Sequence, residues 1–137
     1  MNTKSKTDML NELYKKYNLN KEDTFKSPQG WTIITRTGID KIQAVANIDI
    51  DYDMVEYTPA ESAAVKATAN WNNRKLSTFG ETNPKNCRQS YVLAMAEKRA
   101  MSRIVLKLTG FYELGVFGQD ESDDFTKPKN GVIKSSL

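Results

Sequence analysis

The chain has 137 residues, of which 39% are hydrophobic, and a net charge of +3, which suits one domain with a single core. It has no histidine and only one cysteine, Cys87, so a Ser-His triad, an intrachain disulfide and a cysteine-based metal site are excluded. With no bilayer-length apolar run and no signal-peptide core, we expect a cytoplasmic protein. Carboxylate chemistry stays possible, but we expect a non-enzymatic protein with no cofactor.

The first part of the chain alternates short helical and extended patterns. Apolar residues at three- and four-residue spacing predict a helix over 7–17. A polar stretch with proline and glycine predicts a loop over 18–30, and β-rich residues predict a strand over 31–36. A second helix is predicted over 37–46, where the apolar residues share one face.

Three extended segments follow, and each has a period of two. Residues 49–57 alternate apolar and acidic side chains and predict a half-buried strand that ends at a proline. Residues 62–71 alternate again, and 74–80 would return as a partner strand. The turn between them is Asn72-Asn73, because asparagine tolerates positive φ. The sequence therefore predicts a three-stranded antiparallel meander.

Aspartates recur on the first of these strands. Asp49, Asp51 and Asp53 could hold a divalent cation, because carboxylates are ligands that such ions prefer. Alternation alone is weak support, and a solvent-facing strand edge protected from edge pairing explains the pattern better. We therefore expect no metal site.

A long helix is predicted over 88–109, with Gly110 ending it. At about 100° per residue its apolar side chains form one broad arc. This arc consists of Tyr91, Leu93, Ala94, Ala100, Met101, Ile104, Val105 and Leu108. The opposite side carries a stripe of cations, namely Arg88, Arg99, Arg103 and Lys107. Unrelieved like charges at i, i+4 repel, so the stripe predicts an anionic partner such as a row of phosphates. The alternative is that acids elsewhere in the chain, such as Asp49, Asp51 or Asp53, pair with it.

Glu97 falls inside the apolar arc by the same projection. A carboxylate buried there must be paired or hydrogen-bonded, so we expect a salt bridge that fixes the helix. The alternative is an arc only half buried at this point, with Glu97 reaching solvent.

The predicted hairpin carries a second group of cations. Lys66, Arg74 and Lys75 lie near Trp71, and basic residues beside an exposed aromatic ring suit single-stranded nucleic acid. Trp71 is also in phase with the inward residues of its strand, so the alternative places it in the core.

The elements combine into an α+β fold. We expect an antiparallel β-meander of three to four strands packed on one long C-terminal helix, with a short N-terminal helix. Residues 111–117 should pack back on the body, so that 1–117 form one domain. Residues 118–137 are polar and acidic, and we expect a flexible tail.

The order of elements resembles a known family. A meander leads to the turn Phe79-Gly80-Glu81, and then to a long helix that carries Lys98-Arg99-Ala100 and ends at a glycine. This pattern, followed by the acidic stretch 119–125, resembles phage single-strand annealing proteins of the Erf and Sak type, within the Rad-fifty-two-like superfamily. The resemblance covers about residues 31–125.

The resemblance implies binding and annealing of complementary DNA single strands without ATP, by a homo-oligomeric ring or filament. It adds Lys98 to the candidate contacts. The full candidate set is Arg99, Arg103, Lys107, Lys98, Arg88, Arg74, Lys75, Lys66 and Trp71. The Asp123-Asp124-Phe125 segment resembles acidic, phenylalanine-bearing tails that bind protein partners. The alternative function is a structural or interaction protein, such as a virion or assembly component, whose basic helix contacts an acidic protein.

Overall fold

The computed structural model describes residues 5–125, and their fold is α+β, as predicted. The helices are α1 (Lys6–Lys16), α2 (Arg36–Ala46) and α3 (Val92–Thr109). The strands are β1 (Thr24–Lys26), β2 (Thr32–Ile34), β3 (Asp51–Thr58), β4 (Ser62–Trp71), β5 (Arg74–Thr82) and β6 (Val116–Gly118). Short 3₁₀ turns span Lys21–Asp23, Tyr112–Leu114 and Gln119–Glu121. No helix within 5–125 combines the length and the apolar character needed to cross a membrane.

The predicted meander is present as the antiparallel sheet β3-β4-β5. Strand β4 has the predicted bounds, and its inward alanines and valine are buried while the residues between them are only partly covered. The β4–β5 turn places Asn72 at φ 50° and Asn73 at φ 64°, the positive angles that a tight hairpin requires. The alternating pattern was therefore sufficient to predict this hairpin.

Helix α3 lies directly on this sheet, and a glycine sets the distance. A Cβ atom at Gly80 would overlap the carbonyl of Ala96 and the amide nitrogen of Ala100, so only glycine fits there. On the same strand, Thr78 Oγ1 donates a hydrogen bond to the Ala100 carbonyl at 2.8 Å. The helix backbone thus contacts β5 without an intervening layer of side chains.

A second sheet covers another side of α3, and the sequence patterns did not predict it. Strand β1 pairs antiparallel with β2, and β2 pairs parallel with β6 in the order β1-β2-β6. The predicted loop over 18–30 is therefore partly wrong, because it contains a 3₁₀ turn and β1. Gly118 of β6 approaches Ser102 closely, since a Cβ there would lie 2.7 Å from the serine Cβ. Helix α3 is consequently buried from two sides.

Strand β3 is exposed along its whole length, so the prediction of a half-buried strand is wrong. Helix α3 packs on β4 and β5, and the helix does not cover the edge strand. Glu97 of α3 is exposed as well, so the expectation of a buried salt bridge is wrong and the alternative, in which Glu97 reaches solvent, is correct. The apolar side chains of β3, including Met54 at 60% exposure, therefore face solvent.

The segment after β6 corrects the expectation of a flexible tail from residue 118. Residues 118–125 pack on the body, and Asp120 and Phe125 are buried. The rest of the expected tail, 126–137, lies outside the described residues. Helix α3 also begins later than predicted, at Val92, and the backbone N–H of Arg88, which precedes it, donates to the Asp123 carboxylate at 2.6 Å.

Candidate nucleic-acid interface

Arg99 was predicted on a solvent-facing stripe, and the structure shows this to be wrong. Its side chain is 2% exposed. Its nitrogens donate to five acceptors: the carbonyls of Asp120 (2.9 Å), Glu81 (2.9 Å) and Asn86 (2.8 Å), the Asn86 side-chain oxygen (3.1 Å) and the Asp123 carboxylate (3.4 Å). All five guanidinium N–H groups can thus be satisfied internally. Arg99 therefore links β5 and the loop after it to residues 120–123 through hydrogen bonds, and its guanidinium is not available to phosphates.

Two further cations of the predicted stripe contact acids. Arg103 Nε donates to Glu121 Oε1 at 2.8 Å, and its Nη1 donates to the Phe79 carbonyl at 2.6 Å. Arg88 is more open, with a side chain 70% exposed that lies 3.9 Å from the carboxylates of Asp123 and Asp124. The alternative of internal pairing therefore holds for these residues. The partners are in residues 121–124, and not on β3 as that alternative had suggested.

We call residues 121–125 the acidic strap. It consists of Glu121, Ser122, Asp123, Asp124 and Phe125. Its carboxylates line one cleft together with Lys85, Arg88, Arg99 and Arg103. Phe125 is 8% exposed, so the strap does not present its phenylalanine to a protein partner as the sequence had suggested.

The hairpin cations do not form a common surface with the helix. The register sets Lys66 between Asp53 and Phe79 on the uncovered face of the sheet, and Lys75 shares that face opposite Asn70. Arg74 pairs with Trp71 in register and so points to the other face. The uncovered face also holds the acidic residues of β3, so its charge is mixed.

Trp71 belongs to the core side of the hairpin. Its indole Nε1 donates to the Ala46 carbonyl at 2.7 Å, and the ring packs against the core. The alternative of a core residue is thus correct, and Trp71 offers no free stacking platform. Lys98 is partly exposed, but it lies about 140° around α3 from Arg103 and cannot share a surface with it.

A cluster of aromatic rings, absent from the sequence-based candidate set, lies on the second sheet. The Trp31 ring is 5.3 Å from Phe117, and Phe117 is 5.5 Å from Tyr112, measured between centroids. Lys107 Nζ lies 5.3 Å from the Tyr112 ring centre. Trp31 is 48% exposed, so this cluster is open to solvent. It escaped prediction because Trp31 and Phe117 lie in or beside three-residue strands, which are too short for a periodic pattern.

Lys107 is one helical turn from Arg103, and this connects the cluster to the first sheet. Arg103 contacts the backbone carbonyl of Phe79, whose ring lies on the uncovered face of the sheet beside Lys66. Three rings in contact therefore lead to Lys107, and Arg103 follows one helical turn away. We call this set the aromatic–basic row: Trp31, Phe117, Tyr112, Lys107 and Arg103.

The charge of the described part limits how broadly it can attract anions. All the acidic residues of the chain fall within 5–125, whereas Lys4, Lys127, Lys129 and Lys134 fall outside, so the +3 of the whole chain is not carried by this part. Over the same residues, no group of His, Cys, Asp and Glu side chains is arranged to hold a metal ion. Any polyanion site here must depend on local placement of cations and rings, and not on a strong overall field.

No protein-family model, curated protein or solved structure matches this chain. The resemblance to phage annealing proteins therefore stays a prediction.

Proposed function

We propose that this protein binds single-stranded DNA along the aromatic–basic row. The supporting observation is the run of three contacting rings, Trp31, Phe117 and Tyr112, that leads to Lys107 and then, one helical turn away, to Arg103. Exposed rings stack on bases whatever the sequence, and cations beside them neutralise phosphates. In line with the resemblance, we further propose that binding promotes annealing without ATP or covalent chemistry, in the cytoplasm.

The dimensions of the row suit a short length of strand. One helical turn separates Arg103 from Lys107, and each further step between neighbouring groups is 5.3–5.5 Å. Together these steps give a path of roughly 20 Å, which is about three or four nucleotides of extended strand. Arg88 lines the same cleft as Arg103 and would lengthen the path at that end.

Three residues of the sequence-based candidate set belong to the proposed site, and the other six do not. Arg103, Lys107 and Arg88 stay as phosphate contacts. Arg99 becomes a structural residue, and Trp71 is replaced by Trp31 as the ring that stacks on a base. The remaining hairpin and helix cations are Lys66, Arg74, Lys75 and Lys98, and none of them adjoins the row.

The test is a fluorescence-anisotropy titration of labelled oligo-dT and a matched duplex at two salt concentrations. We expect the single strand to bind more tightly, with an affinity that falls as salt rises because counterions are released. Lys107→Gln should weaken binding severalfold and reduce the salt dependence by about one counterion. Trp31→Ala should weaken binding by roughly tenfold, in keeping with the loss of one stacked base.

Lys75→Gln is the matched control, because it removes the same charge from an exposed strand position away from the row. An equal loss of affinity in Lys75→Gln and Lys107→Gln would move the site to the hairpin. The absence of any oligo-dT binding at low salt would refute the function.

A second candidate function is an interaction protein, and one observation favours it. Strand β3 is an edge strand whose exposed apolar side chains include Tyr52, Met54 and Tyr57. An open edge with apolar side chains can pair with another chain. We propose a second copy of this chain as that partner. A defined oligomer in sedimentation velocity, together with no oligonucleotide binding, would favour this function over the first.

A further inference from the structure

The acidic strap covers the aromatic–basic row with the same kinds of group that a nucleic acid would bring. Glu121 places a carboxylate on Arg103 at 2.8 Å. At the other end Phe125 packs its ring edge-on against Trp31, with centroids 5.8 Å apart. It also lies 6.4 Å from Phe117. A carboxylate therefore contacts the Arg103 guanidinium, and an aromatic ring contacts the rings of Trp31 and Phe117.

Between Glu121 and Phe125, two further carboxylates of the strap contact Arg88. The Asp123 carboxylate accepts from the Arg88 backbone N–H at 2.6 Å, and the side chains of Asp123 and Asp124 approach its guanidinium at 3.9 Å. The carboxylates of Glu121 and Asp123 are 8% and 14% exposed, so these two acids face the protein and not solvent. Two of the phosphate-binding cations are therefore already paired in the free protein.

We propose that the acidic strap is an autoinhibitory segment that competes with single-stranded DNA for the aromatic–basic row. This inference depends on the proposed function, since it concerns the regulation of the same site. A strand can bind only after Glu121 and Phe125 have left Arg103 and Trp31. The affinity of the free protein is reduced by the fraction of molecules in which the strap is closed.

The strap can leave without undoing the fold around it. Arg99 keeps four of its five hydrogen bonds, because only the 3.4 Å contact to Asp123 belongs to the strap. Asp120 lies before the strap and stays paired with Arg36 through an ion pair of 2.7 Å. The backbone bond of Phe125 is local, from its N–H to the Ser122 carbonyl. Release therefore breaks the ion pairs that Arg103 and Arg88 form with Glu121 and Asp123, and it uncovers one ring. It also breaks the hydrogen bonds that the backbone N–H groups of Gly118 and Arg88 donate to these two carboxylates.

The test uses the full chain and two strap variants, Glu121→Gln and Phe125→Ala. Each should bind oligo-dT about three- to tenfold more tightly than the unaltered protein at low salt, because each removes one holding contact. Glu113→Gln is the control for charge: it also removes one acid, but Glu113 is exposed and lines a separate cleft beside α1. Its affinity should change by less than twofold.

Hydrogen exchange of the unaltered protein gives a second readout that needs no variant. Saturating oligo-dT should speed the exchange of the amides of 122–125, as the strap is displaced. Slower exchange of these amides, or weaker binding by Phe125→Ala, would make the strap a part of the binding surface and overturn its inhibitory role. Unchanged affinity in both strap variants would overturn it too, while the binding of oligo-dT itself would still support the proposed function. If neither the unaltered protein nor the variants bind, the proposed function fails first.

Discussion

Replacing Arg99 with methionine should destabilise the protein by about 3–5 kcal/mol, because it removes a buried cation from a full set of acceptors. Methionine keeps much of the side-chain volume but has no N–H group. Three backbone carbonyls, those of Glu81, Asn86 and Asp120, would lose their Arg99 donor in a partly buried site. Each unsatisfied buried group costs about 1–3 kcal/mol, so the loss is set mainly by these carbonyls and not by the ion pair with Asp123.

The assay is urea unfolding followed by tryptophan fluorescence, with Arg88→Met as the matched control. Arg88 has a side chain that is 70% exposed, so its replacement should cost less than about 1 kcal/mol. The slope of the transition should be equal in both variants, because the surface exposed on unfolding does not change. If Arg99→Met unfolds at the same urea concentration as Arg88→Met, the buried role of Arg99 is refuted, and the original expectation of a phosphate contact returns.

Two further predictions concern the packing of α3 and the rim of the sheet. Gly80→Ala should lower the free energy of unfolding by about 3 kcal/mol, because the added methyl group overlaps the backbone of α3; Ser77→Ala on the exposed face of β5 is the control in the same denaturation series. The partial desolvation of Tyr52, which is 37% exposed, and secondarily the charges of Glu97 and Asp40 raise the pKa of Tyr52 to about 12. The pKa of Tyr52 in the folded protein exceeds its unfolded value of 10. The contribution of neutral Tyr52 to the free energy of unfolding is therefore complete below pH 10 and is lost as pH rises from 10 to 12. Tyr52→Phe should remove that decline in urea midpoints, and tyrosinate absorbance should show Tyr52 ionising at lower pH in Glu97→Gln.

The sequence was informative where one face of an element is buried and the other is free. Strand β4 shows a clean alternation for that reason, and the two asparagines of its turn gave the hairpin position. The end of α3 was equally clear, because Gly110 adopts φ 95°, a left-handed conformation that favours glycine. These signals are local, and they do not depend on which parts of the chain meet.

The helical projection of α3 placed Arg99 wrongly, because it assumed that only one side of the helix is buried. The helix lies between two sheets, so the side that carries Arg99 is covered as well as the apolar arc. A signal was available in the small residues Ala96, Ala100 and Ser102, which allow strands to approach closely on more than one side. The second sheet itself has strands of only three residues, too short to show a period.

The candidate site was predicted in part. Arg103 and Lys107 were identified by their spacing, and both belong to the aromatic–basic row. Trp31 and Phe117 could not be assigned to it, because they are far apart in sequence and meet only when β6 pairs with β2. The acid partners of the arginines were missed for a similar reason, since a polar stretch after the last apolar segment gives no sign that it folds back.

The parallel pairing of β2 with β6 has a consequence for the order in which the chain folds. Residues 32–34 of β2 pair with residues 116–118 of β6. This sheet therefore cannot close until most of the chain has emerged from the ribosome. The meander β3-β4-β5 has only local connections and can form earlier, because closing a long loop costs more entropy than closing a hairpin. Synthesis therefore passes through a stage in which one sheet is assembled while the other has an unpaired edge.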